Sequence, residues 1–105
     1  MVARLVERSG TIERDHADRL RQWQNASVGA QFHVGDGVRS GDQSSARLAL
    51  ARQARLSLGP KSMVRFLARA RPGQTAIDVE VGEAILETAS ETLLETIFSR
   101  FCIGK

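Results

Sequence analysis

The sequence predicts an all-β domain of many short strands, and three observations support this prediction. Apolar and polar residues alternate in short runs within residues 28–66, as in Arg47-Leu48-Ala49-Leu50. Such alternation places every second side chain on one face of a strand. Gly, Asp, Ser and Pro interrupt these runs roughly every 8 to 10 residues, which is typical of turns between short strands. At 105 residues, of which 42% are hydrophobic, the chain is sized for one domain with a single core.

The N-terminal quarter contains one predicted strand and one ambiguous segment. Residues 2–12 read as a strand. Residues 15–25 carry Ala17, Leu20 and Trp23 at helical spacing, so a helix is one interpretation of this segment. In either case Trp23 is expected to pack over one end of the sheet.

The alternation also predicts which side chains face the core. The apolar positions of the central strands are predicted to point inward: Leu48, Leu50, Leu56, Leu58, Val64 and Phe66. Over residues 75–81 the same parity turns Ile77, Val79 and Val81 inward and Asp78 and Glu80 outward. The intervening basic residues Arg47, Arg55 and Arg65 would then lie on the outer surface.

The C-terminal segment, residues 89–103, fits two structures. Ala89, Leu93, Ile97 and Phe101 recur at every fourth position, which indicates an amphipathic helix. Residues 96–103 also fit a strand. The residues alone favour a C-terminal helix, and a strand is the alternative.

The turn residues have a structural interpretation. Gly35, Asp36, Gly41, Gly59, Pro60 and Gly82 are predicted to form structural turns. Gly tolerates a positive φ, and an Asp carboxylate can accept hydrogen bonds from nearby backbone amides. Gly35 and Gly37 are not followed by a helix at the spacing of a dinucleotide-binding loop, so a phosphate site is not indicated.

The order of these motifs resembles that of FecR-type domains. A stretch that reads Val34-Gly35-Asp36-Gly37-Val38-Arg39-Ser40-Gly41 leads through a Ser-rich turn to the strand Arg47-Leu48-Ala49-Leu50. The next strand, Arg55-Leu56-Ser57-Leu58, ends in Gly59-Pro60-Lys61-Ser62, and Val79-Glu80-Val81-Gly82 follows later. Trp23 fits the start of the family pattern. The resemblance covers about residues 3–88 and departs from the family at residues 51–54, where a short Asp-Gly turn is usual.

The resemblance carries several implications. It implies short strands in a twisted β-solenoid-like or compact β-roll stack, a loop or hairpin arm over residues 15–25, and a strand in the C-terminal segment. It implies one FecR-like domain over residues 1–105, truncated at its C-terminal end because the match is poor after Thr88. It also implies the periplasmic part of a transmembrane regulator that relays the state of an outer-membrane transporter to an extracytoplasmic sigma factor. No signal peptide is visible in the sequence, so the cytoplasm is the alternative to the periplasm or cell envelope.

Charge is distributed unevenly along the chain. Residues 38–76 contain eight bases and one acid, whereas residues 77–96 contain six acids and no base. On neighbouring strands these segments would form a basic stripe beside an acidic one. Arg47, Arg55 and Arg65 are the candidate docking stripe for an acidic protein partner, because the Arg fork binds carboxylates well. The simpler interpretation is that these charges keep a small β-domain soluble and block edge-to-edge pairing.

The sequence therefore predicts a non-catalytic signalling or protein-interaction domain. The alternative is a cell-envelope module that recognises wall polysaccharide, although aromatic residues make up only 5% of the chain. No nucleic-acid partner is predicted despite the pI of about 10, because no binding motif accompanies the basic stripe. His16 and His33 lie in unrelated contexts, and no metal-ligand spacing occurs, so no catalytic residue, metal or cofactor is predicted. No stretch approaches the roughly 20 apolar residues of a membrane-spanning helix.

Overall fold

The computed structural model describes residues 1–50, 53–67, 74–87, 95–97 and 100–104. All of its regular elements are β-strands, which confirms the predicted fold class. The strands are β1 (Ala3–Ser9), β2 (Ile12–His16), β3 (Arg19–Asn25), β4 (Gln31–Phe32), β5 (Gly37–Ser40), β6 (Ser45–Leu50), β7 (Arg55–Leu58), β8 (Met63–Leu67), β9 (Gln74–Val81), β10 (Ala84–Glu87), β11 (Glu95–Ile97) and β12 (Arg100–Gly104). No helix in this described part is long and apolar enough to cross a bilayer.

The strands form two antiparallel sheets. Sheet A has the order β11-β10-β7-β6-β1-β4, and sheet B has the order β12-β9-β8-β5-β2-β3. Five strands of each sheet come from residues 1–87, and the sixth comes from the C-terminal segment. Every strand pair is antiparallel. The chain passes repeatedly between the sheets, so the strands that pair are often far apart in sequence.

One hydrophobic core lies between the two sheets and makes the fold a β-sandwich. Sheet A contributes Leu48 and Leu56, and sheet B contributes Val64, Phe66 and Ile77, all with 0% exposure. The rings of Phe32 and Phe66 meet across the core, with their centroids 5.7 Å apart. Burying such side chains contributes about 1.5–3 kcal/mol each.

The predicted parity holds for most core positions. Leu48, Leu56, Leu58, Val64, Phe66, Ile77 and Val79 are buried, and Leu50 is half-buried against the core. The prediction for Val81 is wrong, because this side chain is 52% exposed. The register of β9 against β8 shifts between Met63 and Val64, where Glu80 is the extra residue. A β-bulge of this kind reverses the side-chain alternation beyond it.

The solenoid-like or β-roll stack implied by the resemblance is not found in the described residues. A solenoid stacks successive coils so that equivalent strands run parallel. Here every pair is antiparallel, and the N-terminal strand β1 lies between β6 and β4. Period-two patterning predicts strands and their buried faces but not the order in which the strands pair.

The predicted C-terminal helix is wrong where the structure describes that segment. Residues 95–97 form β11 beside β10, and residues 100–104 form β12 beside β9. Residues 88–94, 98–99 and 105 lie outside the described residues. Strand pairing satisfies one edge of each sheet, and this tertiary context overrides the local helical spacing.

The segment of residues 15–25 forms a hairpin arm rather than a helix. β3 pairs with β2 in antiparallel register, with Glu13 opposite Asn25 and Arg14 opposite Gln24. Trp23 is half-buried on this edge strand. The helical spacing of Ala17, Leu20 and Trp23 therefore does not reflect a helix.

Two corners of the sandwich are built alike. Gly10 connects β1 in sheet A to β2 in sheet B, and Gly82 connects β9 in sheet B to β10 in sheet A. Both glycines have positive φ, +79° and +80°. A buried serine packs against each of them, Ser44 against Gly10 and Ser62 against Gly82. Each serine ends a Gly-x-x-Ser turn between strands, at residues 41–44 and 59–62.

The corner serines satisfy backbone groups that the sheets leave open. The Ser44 hydroxyl accepts a hydrogen bond from the Thr11 amide at 2.9 Å, and the Ser62 hydroxyl accepts one from the Glu83 amide at 3.0 Å. Buried amides without partners are costly, so these contacts fix the chain where it crosses between sheets. The corners therefore set the register of both sheets at one end of the sandwich.

Candidate functional site

The outer surface of sheet A carries three exposed arginines among the described residues, Arg4, Arg47 and Arg55, and is called here the arginine face. One row across the strands reads Glu87, Arg55, Ala49, Arg4 and Gln31. The adjacent row reads Ile85, Ser57, Arg47 and Glu7. The small residues Ala49 and Ser57 lie between the longer side chains, so the centre of this face is recessed relative to its surroundings.

Two arginines of this face have no intramolecular partner among the described residues. Arg47 lies 3.5 Å from the Glu7 carboxylate, with both side chains substantially exposed. Arg4 and Arg55 make neither a hydrogen bond nor an ion pair within the same part of the chain, although Glu87 lies opposite Arg55. Their guanidinium groups are therefore available to an external anion.

A shallow groove of about 450 Å³ lies at one end of the arginine face. It is lined by Val6, Glu7, Arg8, Ser9, Val28, Ser45, Ala46, Arg47, Ser57 and Leu58. Hydroxyl and charged groups alternate with aliphatic side chains along it, and Val28 is 60% exposed at the rim. Among the residues that the structure describes, no aromatic ring lines this groove.

The outer surface of sheet B differs because its central charges are paired; it is called here the ion-pair face. Asp15 has 0% exposure, and its carboxylate accepts hydrogen bonds from Arg65 Nη1 and Nη2 at 3.0 and 2.9 Å. The Gly37 amide donates to Asp15 Oδ1 at 2.7 Å and the Arg21 amide to Oδ2 at 2.9 Å. The Glu80 carboxylate lies 3.7 Å from Arg65 Nε.

Gly37 provides the space for this ion pair. It lies in β5 between Asp15 on β2 and Arg65 on β8. A Cβ at Gly37 would be 2.8 Å from Asp15 Oδ1 and 3.0 Å from Arg65 Cζ. The Arg65 side chain passes over β5 at Gly37, where no side chain blocks its way to Asp15.

The surroundings of Asp15 determine its pKa. Burial by itself raises the pKa of this carboxyl, but hydrogen bonds from Arg65 and from the Arg21 and Gly37 amides outweigh it and lower the pKa below the ordinary value. The hydrogen bond to Asp15 in turn raises the pKa of Arg65, against the effect of its burial. Both groups are therefore charged throughout the physiological range.

A second buried carboxylate supports the turn that precedes β5. Asp36 accepts hydrogen bonds from the His33 amide at 2.8 Å, the Ala17 amide at 2.9 Å and Arg14 Nη2 at 2.7 Å. The Arg14 guanidinium lies 4.4 Å from the centre of the Phe32 ring. Asp36 therefore joins the β2–β3 hairpin to the turn at Gly35.

A third cluster lies on the ion-pair face beside the edge strand. Arg39 Nε donates to Glu13 Oε1 at 2.8 Å, and its guanidinium carbon lies 4.3 Å from the centre of a Trp23 ring. A depression of about 390 Å³ adjoins this cluster. Its lining includes Arg39, Lys61, Met63 and Val81.

The structure separates the predicted docking stripe. Arg47 and Arg55 lie on the arginine face, whereas Arg65 lies on the opposite side of the sandwich and is paired with Asp15. Sequence parity cannot tell which sheet a strand joins, so it grouped the three. It also missed Arg4, whose place in the row beside Ala49 depends on the long-range pairing of β1 with β6.

The predicted turn residues lie between strands. Gly35 has φ +95° and packs against Ala17, and the Asp36 carboxylate accepts backbone hydrogen bonds as described above. Gly41 and Gly59 begin the two Gly-x-x-Ser turns, and Pro60 follows Gly59. Gly82 lies at the corner against Ser62. The His33 side chain is 63% exposed and lies after β4 rather than within a strand.

The lowered pKa of Asp15 predicts a specific pH dependence of stability. A carboxylate whose folded pKa lies below its unfolded value of about 3.9 stabilises the fold above that pH. This contribution is lost as the pH falls through the folded pKa. In urea unfolding, the stability difference between wild type and Asp15→Asn should therefore be constant from pH 7 to about 5 and should shrink below about 4.

The exposed Asp42 provides the control for this pH series. Its side chain is 79% exposed and lies 3.6 Å from Lys61. Asp42→Asn should leave the shape of the stability curve nearly unchanged, because exposed pairs contribute about 0–1 kcal/mol. An Asp15→Asn difference that persists undiminished at pH 2 would contradict the assignment.

Within the described residues, no cluster of three or more His, Cys, Asp or Glu side chains could hold a metal ion.

Comparison with known proteins found no relative of this chain. No family model, no curated protein and no solved structure matches this chain.

Proposed function

We propose that this chain is a non-catalytic signalling or protein-interaction domain that binds an acidic partner through the arginine face. The observation that carries the proposal is the contrast between the two outer surfaces. On the ion-pair face, Arg65 is held by Asp15 through both Nη nitrogens, and Arg39 is held by Glu13 through Nε. Arg4 and Arg55, on the arginine face, have no such partner among the described residues.

The shape of the arginine face suits a macromolecular partner. Its low centre at Ala49 and Ser57 admits a backbone or a side chain from outside, and Ile85 is 40% exposed beside it. Arg is enriched at protein interfaces because its planar guanidinium can pair with carboxylates while its aliphatic stem packs against apolar groups. A partner segment that combines acidic and aliphatic residues fits this surface.

The proposed place of action comes from the resemblance to FecR-type domains. In that setting the chain would be the periplasmic part of a regulator of sigma-factor signalling, where it would receive or pass on a signal by protein contact. The motif order from Val34 to Gly82 supports this proposal. The sandwich topology differs from the stack that the resemblance implies, so the arginine face is the more direct basis for an experiment.

Charge reversal on the arginine face should abolish partner binding. Arg4→Glu combined with Arg55→Glu leaves all described ion pairs intact and adds two negative charges to this face. In affinity capture from envelope extract, we expect proteins retained by wild type to be lost by this variant and released by added salt. The control is the single charge reversal Arg19→Glu on edge strand β3, on sheet B.

The outcomes of this capture are distinct. A protein that wild type and Arg19→Glu retain but the double variant loses supports the proposal. Equal retention by all three proteins contradicts it. Binding to purified peptidoglycan that survives the double variant would instead favour the alternative function, recognition of wall polysaccharide in the groove of the arginine face.

A further inference from the structure

We infer that the ion-pair face carries a second binding site, a carboxylate site at Arg39, that takes an acidic side chain flanked by aliphatic residues in a partner peptide. This surface is separate from the arginine face. The site consists of Arg39, its supports Trp23 and Glu13, and the depression of about 390 Å³ beside them.

The Arg39 side chain is fixed before any ligand arrives. Glu13 Oε1 accepts from Arg39 Nε at 2.8 Å, and the guanidinium stacks 4.3 Å from the centre of a Trp23 ring. An arginine that is already held loses little side-chain entropy when it binds an anion. Cation–π stacking further orients the plane of the fork.

The end of the Arg39 fork is left free. Only Nε donates a hydrogen bond to another described residue, so both Nη nitrogens lack a partner in that part of the chain. The Arg39 side chain is 41% exposed and lines the depression. Two parallel N–H groups with this geometry match the two oxygens of a carboxylate.

The other residues of the depression favour a carboxylate over a phosphate. Glu13 and Asp42 also line it, and Lys61 lies 3.6 Å from Asp42. A dianionic phosphate would need a second free cation, and the described lining offers none, because Lys61 is already paired with Asp42.

Met63 and Val81 supply the apolar part of the site. Val81 is 52% exposed because the bulge at Glu80 turns it outward, and Met63 is half-buried beside it. An aliphatic side chain next to a bound carboxylate would cover the exposed apolar surface of this valine. The bulge therefore places an apolar contact next to the free end of Arg39.

A peptide titration tests the inference directly. The probe is the acetylated and amidated peptide Gly-Val-Glu-Val-Gly, and the matched control peptide has Gln in place of Glu. Trp23 is the single tryptophan of the chain, so its fluorescence reports on the site. We expect saturable binding of the Glu peptide in the millimolar range, with a response to the Gln peptide weaker by roughly tenfold.

Two variants separate recognition from folding. Arg39→Lys keeps the charge but loses the fork, and it should weaken binding of the Glu peptide roughly tenfold. Val81→Glu leaves Arg39 and Trp23 in place and should abolish binding by repulsion, whereas Val81→Thr should retain most of it. The double variant Arg4→Glu/Arg55→Glu should bind the peptide normally. Equal binding of the Glu and Gln peptides, full binding by Val81→Glu, or no saturable binding by wild type would each overturn the inference.

Discussion

Asp15→Asn is expected to lower the free energy of unfolding by about 3–5 kcal/mol at pH 7. The Asp15 carboxylate is completely buried, and Arg65 is only 15% exposed. The variant leaves Arg65 with only the more exposed and more distant Glu80 carboxylate, 3.7 Å from Nε, to balance its charge. The Asn side chain would also point an NH₂ group at backbone amides that donate to a carboxylate oxygen in the wild type, such as the Gly37 amide. Because small domains are stable by about 5–15 kcal/mol, urea unfolding should show a large shift of the midpoint.

The comparison that isolates burial is Glu13→Gln. This residue also pairs with an arginine across neighbouring strands, at a similar distance of 2.8 Å, but its side chain is 30% exposed and that of Arg39 is 41% exposed. Its loss should cost about 0–1 kcal/mol. Equal destabilisation by the two variants would show that the Asp15–Arg65 pair has no special structural role.

Gly82→Ala is expected to destabilise the protein by about 2–5 kcal/mol, the sum of two effects. A non-Gly residue with a positive φ costs about 1–2 kcal/mol. A Cβ at Gly82 would also be 2.3 Å from Ser62 Oγ and 2.7 Å from the Lys61 carbonyl oxygen, which forces the corner apart. Overpacking of this kind costs about 1–3 kcal/mol.

Gly29→Ala separates the two effects. Gly29 also has a positive φ, +97°, but a Cβ there would have no atom within 4 Å. This variant should lose only the backbone contribution, about 1–2 kcal/mol. Thermal or urea unfolding of both variants gives the steric contribution as the difference. If Gly82→Ala were no less stable than Gly29→Ala, the close packing of the corner on Ser62 would be wrong.

Local pattern predicted the strands because it depends on neighbours in sequence. Alternation found the buried positions of β6, β7 and β8, and the turn residues marked the ends of these strands. It failed at Val81, where one extra residue reverses the parity. It also failed for residues 95–97 and 100–104, where edges of sheets offer pairing that helical spacing does not reveal.

The candidate sites depend on pairings that no local pattern contains. The buried role of Arg65 requires Asp15, 50 residues away, and a glycine between them on β5. Arg4 joins the arginine face only because β1 pairs with β6. The sequence did carry one signal that could have been used: the repeated Gly-x-x-Ser at residues 41–44 and 59–62, which marks the two corners.

The pairing of β1 with β6 has a consequence for how the chain reaches its native state. Ala3 lies opposite Leu50, so β1 cannot pair with β6 until the chain has been synthesised beyond residue 50. Domains dominated by such distant pairings fold in milliseconds to seconds rather than microseconds. During that interval the unpaired edge of β1 is open to association with other unfolded chains.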